Sequence, residues 1–321
     1  MTSHGLTHED HQSHKDHKEY KAFVIFVFVV SVVLAGVARC SAETGTSKFD
    51  SSRAYEDMRQ MVSIGPRPSG SPAIAKTRDY IKKGLTAAGL TPEELPFDAP
   101  TPLGVVHMVN IRATLPGQAK DRGRLVIGGH YDTKLVREFP FVGASDGASS
   151  AAFLLELARS LKGRTNPLPI ELLFLDGEEA VVDWQGQDHT YGSRHYVQDA
   201  QRARTSKDIR AFILVDMIGD RDLGIRREQN STPWLTDAIW SAAKRINRPE
   251  FLDEMTPIED DHLEFLQAGI PSVDIIDLDY PAWHREEDRL DHVAAGSLQA
   301  VGDVLIAALP AIENHVKGRE Q

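Results

Sequence analysis

An α/β architecture is the fold class this sequence predicts: a single domain with a central, mostly parallel twisted sheet and helices on both faces. Three observations predict it. Apolar residues make up 41% of 321 positions, enough for a folded core. Beyond Pro100, short apolar runs rich in Val, Ile and Leu alternate with longer stretches whose apolar residues recur at helical spacing. No internal repeat or low-complexity linker interrupts residues 43–321, so one large domain is the simplest division.

The first 21 residues are polar and carry His4, His8, His11, His14 and His17 at loose spacing, which reads as a solvated tail rather than a metal site. The next segment, residues 22–38, is an uncharged apolar run of 17 residues. That length lies at the short end for a bilayer-spanning helix and just above a signal-peptide core, so a signal anchor and a cleaved signal peptide both stand open. Either one exports the remainder of the chain. Lys15, Lys18 and Lys21 precede the run and hold the N-terminus in the cytoplasm, which places Ser41 onward in a periplasmic or other extracytoplasmic space. The small residues Cys40 and Ala42 permit cleavage after Ala42, while Arg39 argues against a lipoprotein signal.

The exported part opens with two helical patterns, Ser51 to Ile64 and Ala73 to Ala88, separated by the turn-rich GPRPSGSP from Gly65 to Pro72. Strand-like runs come next, at Val105 to Leu115, Arg124 to Gly129, Ile170 to Leu175, Ile209 to Val215 and Pro271 to Ile276. Helical patterns lie between and after them at Ala148 to Leu161, Ser193 to Ala203, Pro233 to Ile246 and Ser297 to His315. The first of these sets Ala151, Leu154, Leu155, Ala158 and Leu161 on one face. Alternating strands and helices give a mostly parallel sheet, with an antiparallel edge hairpin expected from the first two strands.

Charge and cysteine content narrow the function. With 36 basic and 47 acidic residues the formal charge is −11, and a chain without basic excess is a poor nucleic-acid binder. The single cysteine, Cys40, excludes an intramolecular disulfide scaffold and any Cys-rich zinc module. A bound metal must therefore be held by His, Asp and Glu.

Those residue types gather where the strands end, which is where open α/β sheets build their sites. RLVIGGHYDTK puts His130 and Asp132 just past one strand, IELLFLDGEEA puts Glu178 and Glu179 past the next, and AFILVDMIG ends on Asp216. Asp146 lies in FVGASDG, and His284 comes after the last strand through DYPAWH. His130, Asp146, Glu179, Asp216 and His284 thus form a mixed imidazole and carboxylate set, a donor chemistry that suits Zn²⁺. Asp132 is spaced to orient the His130 ring from behind. Taken singly, each acid reads as a helix cap or a solvated loop charge, Asp146 above all. The adjacent Glu178 and Glu179 argue harder, because neighbouring carboxylates repel unless one binds a cation and the other handles protons.

From about Ser51 to its C-terminus the chain resembles the zinc-dependent glutaminyl-peptide cyclotransferases of animal type, which share the fold of the zinc aminopeptidases of peptidase family M28. The resemblance rests on GGHYDTK, VGASDGASSAAFLLELAR, LLFLDGEEA followed by WQGQDHTYGSRH, LVDMIGD, EDDHLEFLQAGIPSVDIID and YPAWH. It implies Asp146, Glu179 and His284 as ligands of one zinc ion and Glu178 as general acid and base. Asp261 is implied to hold the substrate amide nitrogen, Asp216 to share the acidic network with Glu178, and Trp184 and Trp283 to wall the substrate. The implied reaction converts the N-terminal glutamine of a peptide or protein to pyroglutamate with release of ammonia. The pattern departs at two places: animal enzymes carry Ser where this chain has Gly147, and His where it has Asp274. The missing disulfide fits a bacterial-type exported version.

His262 reads as a packing or supporting group, and Trp234 and Trp240 sit in a helical stretch and read as packing residues. The competing enzyme is a two-zinc aminopeptidase, in which His130 and Asp216 complete a second site, Asp146 bridges both ions and Glu178 activates water. A membrane-tethered binding module without turnover is the third alternative. It gains nothing from Glu178 beside a complete ligand set.

Overall fold

The computed structural model describes residues 1, 49–119 and 123–318, with no side-chain description at 318. The polar tail at 1–21, the apolar segment at 22–38 and residues 39–48 therefore lie outside the described residues, Met1 excepted.

The chain enters through two amphipathic helices. In α1 (Ser51–Ile64) the Asp50 carboxylate caps the N-terminus by accepting from Ser52 N and Arg53 N, and Ala54, Met58 and Met61 form the buried stripe. In α2 (Pro72–Ala87) Ser71 caps the amide of Ile74, Pro72 takes the first turn where its missing N–H costs nothing, and Ile74, Ile81 and Leu85 face inward.

Six strands form the main sheet: β1 (Glu93–Thr101), β2 (Gly104–Leu115), β3 (Arg124–His130), β4 (Ile170–Leu175), β5 (Ile209–Asp216) and β8 (Ser272–Ile276), in the order β1-β2-β4-β3-β5-β8. The last four run parallel, and β1 and β2 add antiparallel at one edge. The parallel strands read as unbroken Val, Ile, Leu and Phe runs because both their faces are covered. On one face pack α1, α2, α3 (Ala148–Ser160), α5 (Pro233–Arg245) and α7 (Ala295–Gly318); α4 (Tyr191–Arg202) and α6 (His262–Gln267) cover the other. Helix α7 is long and apolar enough to cross a membrane, yet Leu298, Val301, Val304, Leu305, Leu309 and Ile312 are buried in the core. It is a core helix by that measure.

The sheet agrees with the expected α/β class and corrects one expectation. The edge hairpin is not formed by Val105–Leu115 with Arg124–Gly129: β4 lies between them, and β2 pairs instead with β1. The missed strand, EELPFDAPT, is charged and holds Pro96 and Pro100, residues that an edge strand tolerates because one side needs no donors. Also unanticipated is a small parallel pair, β6 (Ile225–Glu228) with β7 (Phe251–Thr256).

Candidate metal centre

Four parallel strands place their carboxyl ends at one edge of the sheet, so the segments leaving β3, β4, β5 and β8 meet there. His130 is the last residue of β3, Asp216 the last of β5; Glu178 and Glu179 come just after β4, and His284 lies within the loop between β8 and α7. Asp146 arrives just before α3. That helix is capped by Gly147 with no side-chain hydrogen bond, so the Asp146 carboxylate is not spent as a cap.

Two clusters result, and they share Asp146. His130 Nε2 lies 3.2 Å from Asp146 Oδ1 and 3.0 Å from Asp216 Oδ1. His284 Nε2 lies 3.4 Å from Asp146 Oδ2 and 3.3 Å from Glu179 Oε2. In each cluster one donor atom from each of the three residues falls within 4.8 Å of the others, close enough to share a cation. The clusters differ in how their oxygens are satisfied. Asp216 Oδ1 accepts from Met217 N, takes His130 Nε2 and meets the Ser150 hydroxyl. Asp146 Oδ2 and Glu179 Oε2 are buried with no hydrogen-bond partner. Orphaned carboxylate oxygens at this depth need a positive partner, and both face the His284 imidazole.

Supporting contacts fix the ligands. Asp132, as its spacing suggested, sits behind His130 Nδ1 at 3.3 Å and also accepts the amides of Glu178 and Glu179, tying the β3 end to the β4 end. Lys134 N donates to Glu179 Oε1. Asp288 accepts from Ser145 N and Asp146 N and from the Tyr280 hydroxyl, which joins the Asp146 loop to the His284 loop. His284 and Met217 hold positive φ of 54° and 47°, a conformation that costs energy and is kept by its surroundings.

Above the second cluster opens a cleft of 520 Å³ lined by Glu178, Trp184, Asp216, Ile258, Asp260 and Trp283 among others. Trp184 and Trp283, the two tryptophans expected at the substrate, both belong to this lining. Asp261 does not: it is fully buried outside the lining, and its Oδ1 takes the Ser193 hydroxyl at 2.5 Å. The neighbouring Asp260 lines the cleft instead, with Oδ2 unpartnered. Two successive acids before a short helix give no sequence signal for which one faces inward. Trp240 and Trp234 pack as expected, the first donating to Leu252 O and the second stacking on His315.

A profile described as Peptidase family M28 matches residues 110–309. A glutaminyl-peptide cyclotransferase of Bothrops jararaca is 33% identical over 81% of this chain and 81% of its own. A crystallised glutaminyl cyclase of an Acidobacteriales bacterium is 38% identical, covers 86% of this chain and 99% of its own, and superposes with a TM-score of 0.80. The chain belongs to the glutaminyl cyclase branch of peptidase family M28. A mouse glutaminyl-peptide cyclotransferase-like protein is 34% identical over 69% of this chain, which spans 66% of that relative's length.

The two positions singled out in the sequence, Gly147 and Asp274, both lie at the buried acidic network. Gly147 sits at φ +86°, and a Cβ there would run into the Asp132 carbonyl and crowd the His130 ring. Asp274 is buried on β8 with Oδ2 3.6 Å from His262 Nδ1, and His262 Nε2 reaches Glu228 Oε2 at 3.1 Å. His262 thus sits between two buried acids, beyond a packing role.

Sequence reasoning passed over Arg67 in the GPRPSG turn. Its guanidinium is fully buried and donates to Tyr131 O, Val142 O and Gly143 O, while its amide donates to Thr133 Oγ1. Burial pulls its pKa down to about 10, with the surrounding carboxylates of Asp132, Asp288 and Asp146 opposing the fall. The side chain bolts the segment bearing His130 and Asp132 to the loop bearing Asp146. Arg67→Met would orphan three carbonyl oxygens and is expected to cost about 3 kcal/mol of unfolding free energy. Urea unfolding measures it, and an unchanged midpoint would refute the bolt.

Electrostatics set a second expectation. Burial drives Glu178 well above the carboxylate range, with Asp260, Glu179 and Asp216 reinforcing and His130 opposing. Burial likewise raises Asp176 and Asp261 to about 7 and Asp277 and Asp288 to about 6. Asp146 runs the other way: burial raises it, but His130 and His284 hold it low. Each raised carboxyl binds its proton more tightly folded than unfolded, so its stabilisation is complete below about pH 4 and lost as pH climbs to about 7. Metal-stripped protein should therefore melt at lower temperature at pH 7.5 than at pH 4.5, and added metal should shrink the difference. Thermal scans of chelator-treated protein at both pH values test this; a higher melting temperature at neutral pH contradicts it.

Proposed function

We propose that this chain is a glutaminyl-peptide cyclotransferase that takes one zinc ion on Asp146, Glu179 and His284 and converts N-terminal glutamine to pyroglutamate. The observation that supports a single ion is the contrast between the two clusters: Asp146 Oδ2 and Glu179 Oε2 lack hydrogen-bond partners, whereas Asp216 Oδ1 is satisfied by protein donors. Two carboxylates and one imidazole are a donor set that leaves zinc an open position. The chemistry zinc supplies when bound there is Lewis-acid polarisation of the glutamine γ-carbonyl.

The chain's own residues do the rest. Glu178 lines the cleft with a carboxyl that burial makes a better proton acceptor than a surface glutamate. It takes the proton of the substrate α-amine as that nitrogen bonds to the carbonyl carbon of the side-chain amide, then returns it to the amide nitrogen, whose bond to that carbon breaks to release ammonia. Asp260 is placed to accept from that amide, the role expected of Asp261. Trp184, Trp283 and Ile258 confine the glutamine so that amine and carbonyl stay in a near-attack geometry and water is kept off. The N-terminal reading travels with this proposal: the uncharged run 22–38 carries the enzyme out of the cytoplasm, as anchor or cleaved signal.

Incubating purified protein with a Gln-initiated peptide should release ammonia and lower the peptide mass by one ammonia, with one zinc per chain. Free glutamine and two ions per chain would favour the aminopeptidase, for which the His130–Asp146–Asp216 cluster is the second site. Protein that binds no metal and turns over no peptide would favour the binding module.

A further inference from the structure

The rim of the cleft carries charges that the cyclisation does not use. Asp183 and Glu259 both line the cleft, and both are exposed. They belong to one fixed wall. Asp188 accepts the amides of Val181, Val182 and Asp183 and the Tyr191 hydroxyl, which pins the backbone under Asp183. Next in the chain, Trp184 stacks on His189 with ring centroids 4.2 Å apart, and His189 Nε2 lies 3.8 Å from Glu259 Oε1. Asp183, Trp184, His189 and Glu259 thus succeed one another along the wall.

Little neutralises these two acids. Asp183 makes no ion pair among the described residues, and burial lowers the pKa of His189, which leaves Glu259 beside a neutral ring at pH 7. The lysine of the lining, Lys134, holds its ammonium 3.8 Å from Glu179 Oε2 instead. Independently of the rim, Asp260 Oδ2 is buried and unpartnered in the same cleft, which marks it as a place where a ligand docks.

We infer that this wall is a subsite for a cationic side chain, lysine or arginine, at the second position of the substrate, so that the preferred class is Gln-initiated peptides with a basic second residue. The inference rests on the cyclase reading and extends it. Once the glutamine side chain is committed to the floor of the cleft, the next residues of the peptide must leave past the rim. There the two carboxylates supply Coulomb attraction for a cation. Exposed pairs are weak, so each carboxylate should contribute about two- to fivefold in kcat/KM.

The test compares ammonia release from three amidated peptides, Gln-Lys-Ala, Gln-Ala-Ala and Gln-Glu-Ala. The expected order of kcat/KM is Lys above Ala above Glu, with about tenfold between the extremes at low ionic strength and a smaller ratio in about 0.5 M salt. In the double variant Asp183→Asn with Glu259→Gln the Lys-to-Glu ratio should fall toward one, chiefly through KM. Equal rates on all three peptides, or a ratio that survives the double substitution, overturns the inference while the cyclase reading stands. No cyclisation of any peptide removes that reading, and the subsite with it.

Discussion

Glu178→Gln is expected to lower kcat by about 10²–10⁴-fold while the protein keeps its metal. The isosteric amide preserves the shape of the cleft wall but can neither accept the α-amine proton nor return it to the departing nitrogen. Glu178 lies outside the Asp146–Glu179–His284 cluster, so metal content should match the unsubstituted chain. Its backbone contacts, an amide donated to Asp132 and a carbonyl taken by Thr190 N, do not depend on the side chain. Steady-state kinetics with metal analysis on the same preparation decides the matter, and near-normal turnover would strip Glu178 of its proton-transfer role.

Glu179→Ala should produce the opposite split, with metal and activity lost together. In the proposed site its carboxylate is one of three ligands, and structural zinc sites of small peptides bind with apparent free energies of about 10–16 kcal/mol. Deleting a ligand should therefore weaken affinity by roughly 3–4 kcal/mol, several hundredfold. The state of Glu179 Oε2 makes the case sharper: it is buried without a hydrogen bond, with the His284 ring at 3.3 Å and the Lys134 ammonium at 3.8 Å, so an ion seated there is expected to offset the cost of its burial. Zinc titration by calorimetry reads the loss directly. A variant that binds zinc as tightly as the parent would remove Glu179 from the ligand set.

The two substitutions separate adjacent residues by chemistry, and they bear on how far a sequence can be read. His130, Glu179, Asp216 and His284 were legible because each comes after a strand-like run, and Asp146 because it opens a helix, while parallel strands deliver their ends to one edge. Asp132 was legible from its two-residue spacing to His130 along an extended segment. Asp260 and Asp261 were not separable. They adjoin in sequence, and only the packing of Ser193 from α4 against Asp261 turns that residue away from the cleft. Arg67 looked like part of a turn, since nothing local signals that its guanidinium will be buried among backbone carbonyls of segments more than 60 positions away. Asp288 was equally silent, because its partners at Ser145 and Asp146 lie across the chain.

By itself the sequence determined the α/β class, the parallel core strands and the residues able to hold a metal, because burial on both faces and strand-end placement leave local marks in hydrophobic runs and in the acids just beyond them. The tertiary structure alone decided that β4 separates β2 from β3, that β1 guards the edge, and that Asp146 is shared by two clusters of which one is hydrogen-bond satisfied and the other is not. Those facts depend on pairings between distant segments. Such pairings are fixed by the total free energy of packing the whole sheet and its helices, and no short window of residues contains it.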